Sequence, residues 1–180
     1  KNNFLKGKIF FENCIKNKIN RFIYSSTAAV YGNKNKRVNE KDDLKPMSPY
    51  PRSKLKLENY LNRKKKNISC IILRYFNVAG SDKKLRCGFN VKNDYNLILN
   101  LCTSSIKNRK FVINGNNYKT KDGTPIRDFI HVEDLAKIHL LAANFIIKKK
   151  IFKIFNCGYG YGFSVKEIFQ KFNSITKNKI

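Results

Sequence analysis

Arg21-Phe-Ile-Tyr-Ser-Ser-Thr-Ala-Ala-Val-Tyr-Gly32 is the stretch on which the fold is read. Phe22, Ile23 and Tyr24 form a short apolar run that reads as a buried strand, and three hydroxyl residues, Ser25, Ser26 and Thr27, follow at its carboxyl end. Open α/β sheets bind ligands beyond the carboxyl ends of their strands. A hydroxyl there can bridge a substrate oxygen and a tyrosine, although such clusters also commonly satisfy turn backbone. Working outward, Phe4 to Asn17 carries apolar residues at Leu5, Ile9, Phe10, Cys14 and Ile15, which is helical spacing. Downstream come a charged loop from Gly32 to Met47, a helix with Leu55, Leu57, Tyr60 and Leu61, and a second apolar strand from Ser69 to Tyr75. Alternation of strand and helix is the pattern of a doubly wound α/β sheet.

The second helix opens on Ser48-Pro-Tyr-Pro-Arg-Ser-Lys54. Residues four apart share a helix face, so the Lys54 ammonium is expected beside the Tyr50 phenol. A nearby cation favours phenolate and draws a tyrosine pKa down from about 10. The pair then makes a general base able to take a proton from a sugar or alcohol hydroxyl. The plain alternative is two unrelated surface residues on an amphipathic helix. Pro51 is acceptable in a first helical turn, so Tyr50 is expected at the helix edge with Lys54 still reaching its face.

The rest of the chain is punctuated by turns. Ser81 to Tyr95 is polar and basic; Asn96 to Ile106 reads as a helix and Phe111 to Asn114 as a strand. After Asp122-Gly123 come a strand at Arg127 to His131, a helix from Glu133 to Ile147, a strand from Ile151 to Asn156 and a helix from Ser164 to Phe172. Ser164-Val-Lys-Glu167 is a capping box for that last helix. Gly158-Tyr-Gly-Tyr-Gly162 lacks the G-x-G-x-x-G spacing of a dinucleotide loop and reads as a tight strand-to-helix turn. His131-Val-Glu133 matches half of a zinc deaminase signature without the P-C-x-x-C half. No metal site is expected.

Lys and Arg number 38 against 12 Asp and Glu, a net charge of +26. The lysines are scattered among abundant Asn and Ile, which reads as solvated faces rather than a nucleic-acid patch. Five cysteines without a C-x-x-C pair argue against a disulfide framework and for reduced, cytoplasmic thiols. The longest apolar stretch, Leu140 to Ile147, is too short to span a bilayer. The chain starts at a lysine and is read as an internal piece of a longer protein.

Four runs taken together carry a resemblance. Ser-Ser-Thr-Ala-Ala-Val-Tyr-Gly32, Ser-Pro-Tyr-x-x-Ser-Lys54, Leu-Arg-Tyr-Phe-Asn-Val-Ala-Gly80 and Asp122-Gly-Thr-x-x-Arg-Asp-x-Ile-His-Val-x-Asp-Leu-Ala136 stand in the order and spacing of the extended short-chain dehydrogenase/reductase family. Within it the chain is most similar to the 4-epimerases of UDP-hexoses. The resemblance implies an α/β fold, a partial doubly wound Rossmann-type parallel sheet with a smaller substrate-binding region. On that pattern residues 1–80 are the second half of an NAD-binding domain, 81–126 a substrate-binding region, and 127–180 a return to the core and the start of a carboxyl-terminal substrate part.

It further implies NAD as cofactor, a UDP-sugar as substrate and, in the complete protein, a homodimer. The expected reaction is interconversion of UDP-glucose and UDP-galactose by oxidation and re-reduction at C4. Tyr50 is the base, Lys54 lowers its pKa and bonds the nicotinamide ribose, and Thr27 holds the sugar hydroxyl. Asn2, Ser25 and Phe76 fall on positions that line NAD. Asn77, Asn96, Leu97 and Arg127 fall on positions that meet the sugar nucleotide, Arg127 at its diphosphate. Ala28 and Ala29 stand where related dehydratases and decarboxylases place an acid, which favours epimerisation. Rival readings are an epimerase for an N-acetylhexosamine, uronic acid or pentose, and a non-catalytic nucleotide- or nucleic-acid-binding member of the fold.

Overall fold

The strand expected at Phe22–Tyr24 extends over Arg21–Thr27 (β1), so the hydroxyl cluster is part of the strand itself. The computed structural model describes residues 2–34, 36–86, 88 and 96–176. Upstream of β1, a π-helical turn at Asn2–Lys6 leads into helix α1, Gly7–Lys16. After β1 a 3₁₀ turn, Ala28–Tyr31, is capped by Thr27. Gly32 follows at φ 72°, with the Lys45 carbonyl so near that no Cβ fits. Then come helix α2, Pro49–Arg63, and strands β2, Ser69–Tyr75, and β3, Asn77–Ala79. Helix α3 is Leu97–Ile106; short strands β4 and β5 are Ile126–Arg127 and Phe129–His131; helix α4 is Val132–Lys148. Strand β6, Phe152–Cys157, strand β7, Phe163–Ser164, and helix α5, Val165–Thr176, complete the order.

These elements form two compact units, each discontinuous in sequence: 1–76 with 134–158, and 77–133 with 159–180. The sequence reading drew contiguous stretches, whereas the chain leaves the first unit and returns to it within α4. The first unit holds a parallel sheet in the order β1-β2-β6. Its central strand is buried along almost its whole length, which is why Cys70-Ile-Ile-Leu reads as a continuous apolar run.

Side chains on one face of this sheet line up in three rows: Phe22, Cys70 and Phe152; Tyr24, Ile72 and Ile154; Ser26, Arg74 and Asn156. The first two rows, with Phe11 of α1 and Leu57, Tyr60 and Leu61 of α2, make the hydrophobic core. The third row, at the carboxyl end, is polar and equally buried at Ser26 and Arg74. Glu58 of α2 sits over it, 3% exposed. Arg74 donates to its carboxylate through Nε at 3.1 and 3.2 Å and Nη2 at 2.5 Å, and Ser26 Oγ donates to the same carboxylate. Arg74 Nη1 also donates to Tyr31 Oη at 2.9 Å, which donates to Asn156 Oδ1 at 2.8 Å.

The second unit pairs β3 with β5 in parallel and β4 with β7 antiparallel. Gly80, at φ 92°, lets His131 approach where a Cβ would collide with its ring. The capping box forms as expected: Glu167 N–H donates to Ser164 Oγ at 3.0 Å and Ser164 N–H to Glu167 Oε2 at 2.7 Å. Residues 111–114, expected as a strand, are irregular. Phe111 stacks on Phe169 of α5 at 5.5 Å while Val112 is exposed, so Phe111 serves a side-chain contact instead of a ladder. Much of the polar segment before α3, residues 87 and 89–95, lies outside the described residues.

Two stability outcomes follow. Glu58→Ala strands a buried guanidinium and should cost about 3–5 kcal/mol in urea unfolding of the full-length protein. Burial pushes the Cys70 thiol up to about 12 and Cys157 to about 11, with Glu58 and Glu40 adding to the respective shifts. Each thiol therefore stabilises the fold fully below its unfolded pKa of about 8.5 and loses that contribution as pH rises through its folded value. Melting temperature should fall between about pH 9 and 11, and Cys157→Ala should flatten that fall.

Candidate active site

The site is built at the carboxyl end of β1, under the first two turns of α2. Both Pro49 and Pro51 fall in the first turn of that helix, where backbone N–H groups lack intrahelical acceptors in any case. Tyr50 is thereby the second helical residue, half exposed, and Pro51 is buried. The edge position expected for Tyr50 is what the helix adopts. Ser53 Oγ donates back to the Tyr50 carbonyl at 2.6 Å.

Lys54 lies one turn on. Its Nζ donates to the Ser25 carbonyl at 2.8 Å and stands 5.3 Å from the Tyr24 ring centroid and 5.7 Å from that of Tyr50. Both distances are cation–π contacts. The Tyr24 hydroxyl donates to the Lys54 carbonyl at 3.4 Å. Lys54 and Tyr50 thus share a face, as their spacing requires. The electrostatics differ from the expectation, however. Burial, with Tyr75 adding to it, raises the Tyr50 pKa instead of lowering it. Burial also lowers the Lys54 pKa. The ammonium is spent on a carbonyl and on ring faces, not on the phenolic oxygen, so desolvation of Tyr50 prevails.

Thr27 Oγ accepts the Ala29 N–H at 3.2 Å, the turn-capping role weighed for this cluster. Phe76 is half-buried and donates its N–H to the Cys157 carbonyl at 3.3 Å. The Asn2 side chain lies outside the described residues. Sequence reasoning missed Tyr24, Ser26, Glu58 and Arg74 as parts of this environment. The signal was present: Tyr50, Lys54 and Glu58 repeat every fourth residue, and Arg74 interrupts an otherwise apolar central strand.

In the second unit Asn77 uses its side chain on the backbone: Nδ2 donates to the Asp128 carbonyl at 3.0 Å, beside its own N–H at 3.1 Å. Asn96 caps α3, its Oδ1 accepting from Ile98 and Leu99 at 3.0 and 3.3 Å, and Leu97 is the first residue of that helix. Arg127 is exposed on β4 and makes no ion pair among the described residues. Asp128 instead accepts the Tyr159 and Gly160 N–H groups at 3.2 and 2.8 Å. The chain's own carboxylate thus takes up the backbone N–H donors of the Gly-Tyr-Gly-Tyr-Gly turn at Tyr159 and Gly160. His131 Nδ1 accepts the Glu133 N–H at 3.2 Å.

Comparison with known proteins places this arrangement. Residues 1–158 match the NAD dependent epimerase/dehydratase family, and the chain belongs to it. A UDP-glucose 4-epimerase of Azospirillum brasilense is 37% identical over 171 residues, 93% of this chain and 49% of that protein. A UDP-glucose 4-epimerase structure from Stenotrophomonas maltophila, with bound NAD and formylated UDP-arabinopyranose, superposes with a TM-score of 0.88 at 31% identity, covering 94% of this chain and 52% of that one. One from Bifidobacterium longum, in complex with NAD+ and UDP, gives 0.87 at 30% identity over 94% and 52%. The chain spans about half the length of the relatives it matches. Among the described residues no helix is long and apolar enough to cross a membrane.

Removing the ammonium should push the phenol further up. In carbon-labelled tyrosine NMR of the full-length protein without nucleotide, Tyr50 should titrate above the ordinary value of about 10, and Lys54→Met should move it higher still.

Proposed function

We propose that this chain carries the catalytic residues of an NAD-dependent 4-epimerase that interconverts UDP-glucose and UDP-galactose, with Tyr50 as the base. The reading rests on one observation: the Lys54 ammonium is anchored on the Ser25 carbonyl at 2.8 Å and 5.7 Å from the Tyr50 ring, at the carboxyl end of a parallel strand. That is where an α/β sheet presents groups to a ligand.

The residues present suit a dinucleotide. An ammonium has three donors and Ser25 takes one, which leaves Lys54 able to bond a ribose hydroxyl. Asn2, Ser25 and Phe76 would complete the protein's hold on the nicotinamide half. NAD, when bound, supplies the hydride acceptor and then the donor, and adds positive charge to the pocket. Tyr50 takes the proton from the sugar 4-hydroxyl and later returns it. Burial favours its neutral form, so ionisation draws on every positive charge near it, Lys54 first. Thr27 keeps its hydroxyl proton to donate to the sugar while its oxygen caps the following turn.

Asn77, Asn96, Leu97 and Arg127 are proposed to meet the sugar nucleotide, with the exposed Arg127 guanidinium suited to a bidentate grip on the diphosphate. Ala28 and Ala29 follow Thr27 in the 3₁₀ turn and neither can move a proton, which supports epimerisation over dehydration. Assembly as a homodimer and residence in the cytoplasm belong to the same proposal. Exposed Leu5 of the π-helical turn and Ile9 and Phe10 of α1 support the former, and free thiols at Cys14, Cys70, Cys102 and Cys157 support the latter.

The test is steady-state assay of the full-length protein. The parent should interconvert the two UDP-hexoses, and Tyr50→Phe should lower kcat by about 10²–10⁴-fold with little change in KM. A parent protein that binds NAD and converts neither sugar rejects the reading.

A further inference from the structure

We propose that Glu58 and Arg74 are positioning residues: their buried ion pair sets the register of α2 on the sheet and so places Tyr50 and Lys54 at the carboxyl end of β1. The inference rests on the reading of Tyr50 as the base.

Tyr50, Lys54 and Glu58 lie on one face of α2, each about one 5.4 Å turn from the next. Glu58 is the end of that stripe which the protein holds most firmly. It receives Arg74 from β2 through two nitrogens and Ser26 from β1 through its hydroxyl. Lys54 then meets Ser25, the residue before Ser26 on the same strand. A shift of the helix at Glu58 therefore becomes an equal shift of Lys54 and Tyr50 relative to β1.

The apolar rows beneath α2 do not fix this register alone. Leu57, Tyr60 and Leu61 pack on Phe22, Tyr24, Cys70 and Ile72, and such contacts are non-directional. A forked guanidinium on a carboxylate is directional and admits one geometry. A buried ion pair also adds little net stability over apolar groups of similar size. What it adds here is a fixed placement, and the groups placed are the phenol and the ammonium.

The experiment separates placement from folding. In the full-length protein, Glu58→Gln combined with Arg74→Met removes both charges together, so neither is left buried and unpaired. The variant should melt near the parent, yet kcat should fall about 10–100-fold with KM within about threefold, the cost of roughly an ångström of misplacement. Independently of activity, the carbon-labelled Tyr50 phenol should titrate closer to the ordinary value of about 10 than in the parent, as the loosened helix admits water. A folded double variant with the parent's kcat and the parent's Tyr50 titration overturns the proposal.

If the double variant does not fold, Ser26→Ala decides. It withdraws one hydrogen bond from Glu58 and leaves the ion pair, and should lower kcat about fivefold, the worth of one hydrogen bond, with Tyr50 moving in the same direction. No change in either readout overturns the proposal. If instead the parent shows no epimerisation and Tyr50→Phe is silent, the functional reading fails, and the Tyr50 titration still decides whether the pair positions the helix.

Discussion

The buried contact between Glu58 and Arg74 is the constraint around which the first unit is arranged. It lies on the only polar row of a sheet face whose other two rows are apolar. Arg74, at the centre of a parallel sheet, is only 2% exposed, so most of its charge must be met within the fold. Glu58 meets it from the helix, Tyr31 from the 3₁₀ turn, and Tyr31 passes the chain of bonds on to Asn156 of the third strand. Three strands, one helix and one turn are tied at a single level, and that level is the carboxyl end where the hydroxyls of β1 emerge. The same row explains why the loop after Gly32 lies against the sheet: Asn156 donates its backbone N–H to Glu40 of that loop at 2.7 Å.

From this anchor the chemistry of the site is a matter of what is left over. Lys54 is drawn to the Ser25 carbonyl and over two tyrosine rings, so its charge is partly spent before it reaches the Tyr50 oxygen. Burial pushes Tyr24 far up and Tyr50 up as well, which keeps both phenols neutral. A half-exposed phenol whose pKa is raised rests in its neutral form and is not a standing base. On the proposed reading, Tyr50 releases its proton when further positive charge arrives beside it.

The fold was legible because its signals are local and redundant. The short, Ile-rich apolar run of β2 suits a strand covered on both faces, and helical spacing with two prolines at its start fixes α2 to within a turn. The capping box at Ser164 was read from four residues because both of its bonds are made within those four residues. The strand expected at 111–114 failed for the opposite reason: a strand needs a partner, and nothing local says whether one is present. The site divides along the same line. Tyr50 and Lys54 are neighbours by helical spacing and were visible as such, whereas Glu58 and Arg74 are sixteen residues apart in sequence and meet only through packing. The Tyr50 pKa was misread because sequence shows the nearby cation and hides the desolvation that opposes it.

Composition becomes intelligible at the same level. Acidic residues number 12 against 38 basic ones, and several of the acids stand where backbone or buried charge needs an acceptor. Glu58 holds Arg74, Glu40 holds Asn156, and Asp128 fills the turn at Tyr159 and Gly160. Glu133 takes Lys83 and Glu167 closes the capping box. Asp122 accepts from Ser164 and Thr124, and those hydrogen bonds hold its carboxyl below the usual range. Such carboxylates are fixed by geometry and cannot drift, while a lysine on a solvated face can be gained or lost at little cost. A chain can therefore accumulate a large basic excess and keep its fold, provided that Glu58 goes on meeting the buried charge of Arg74.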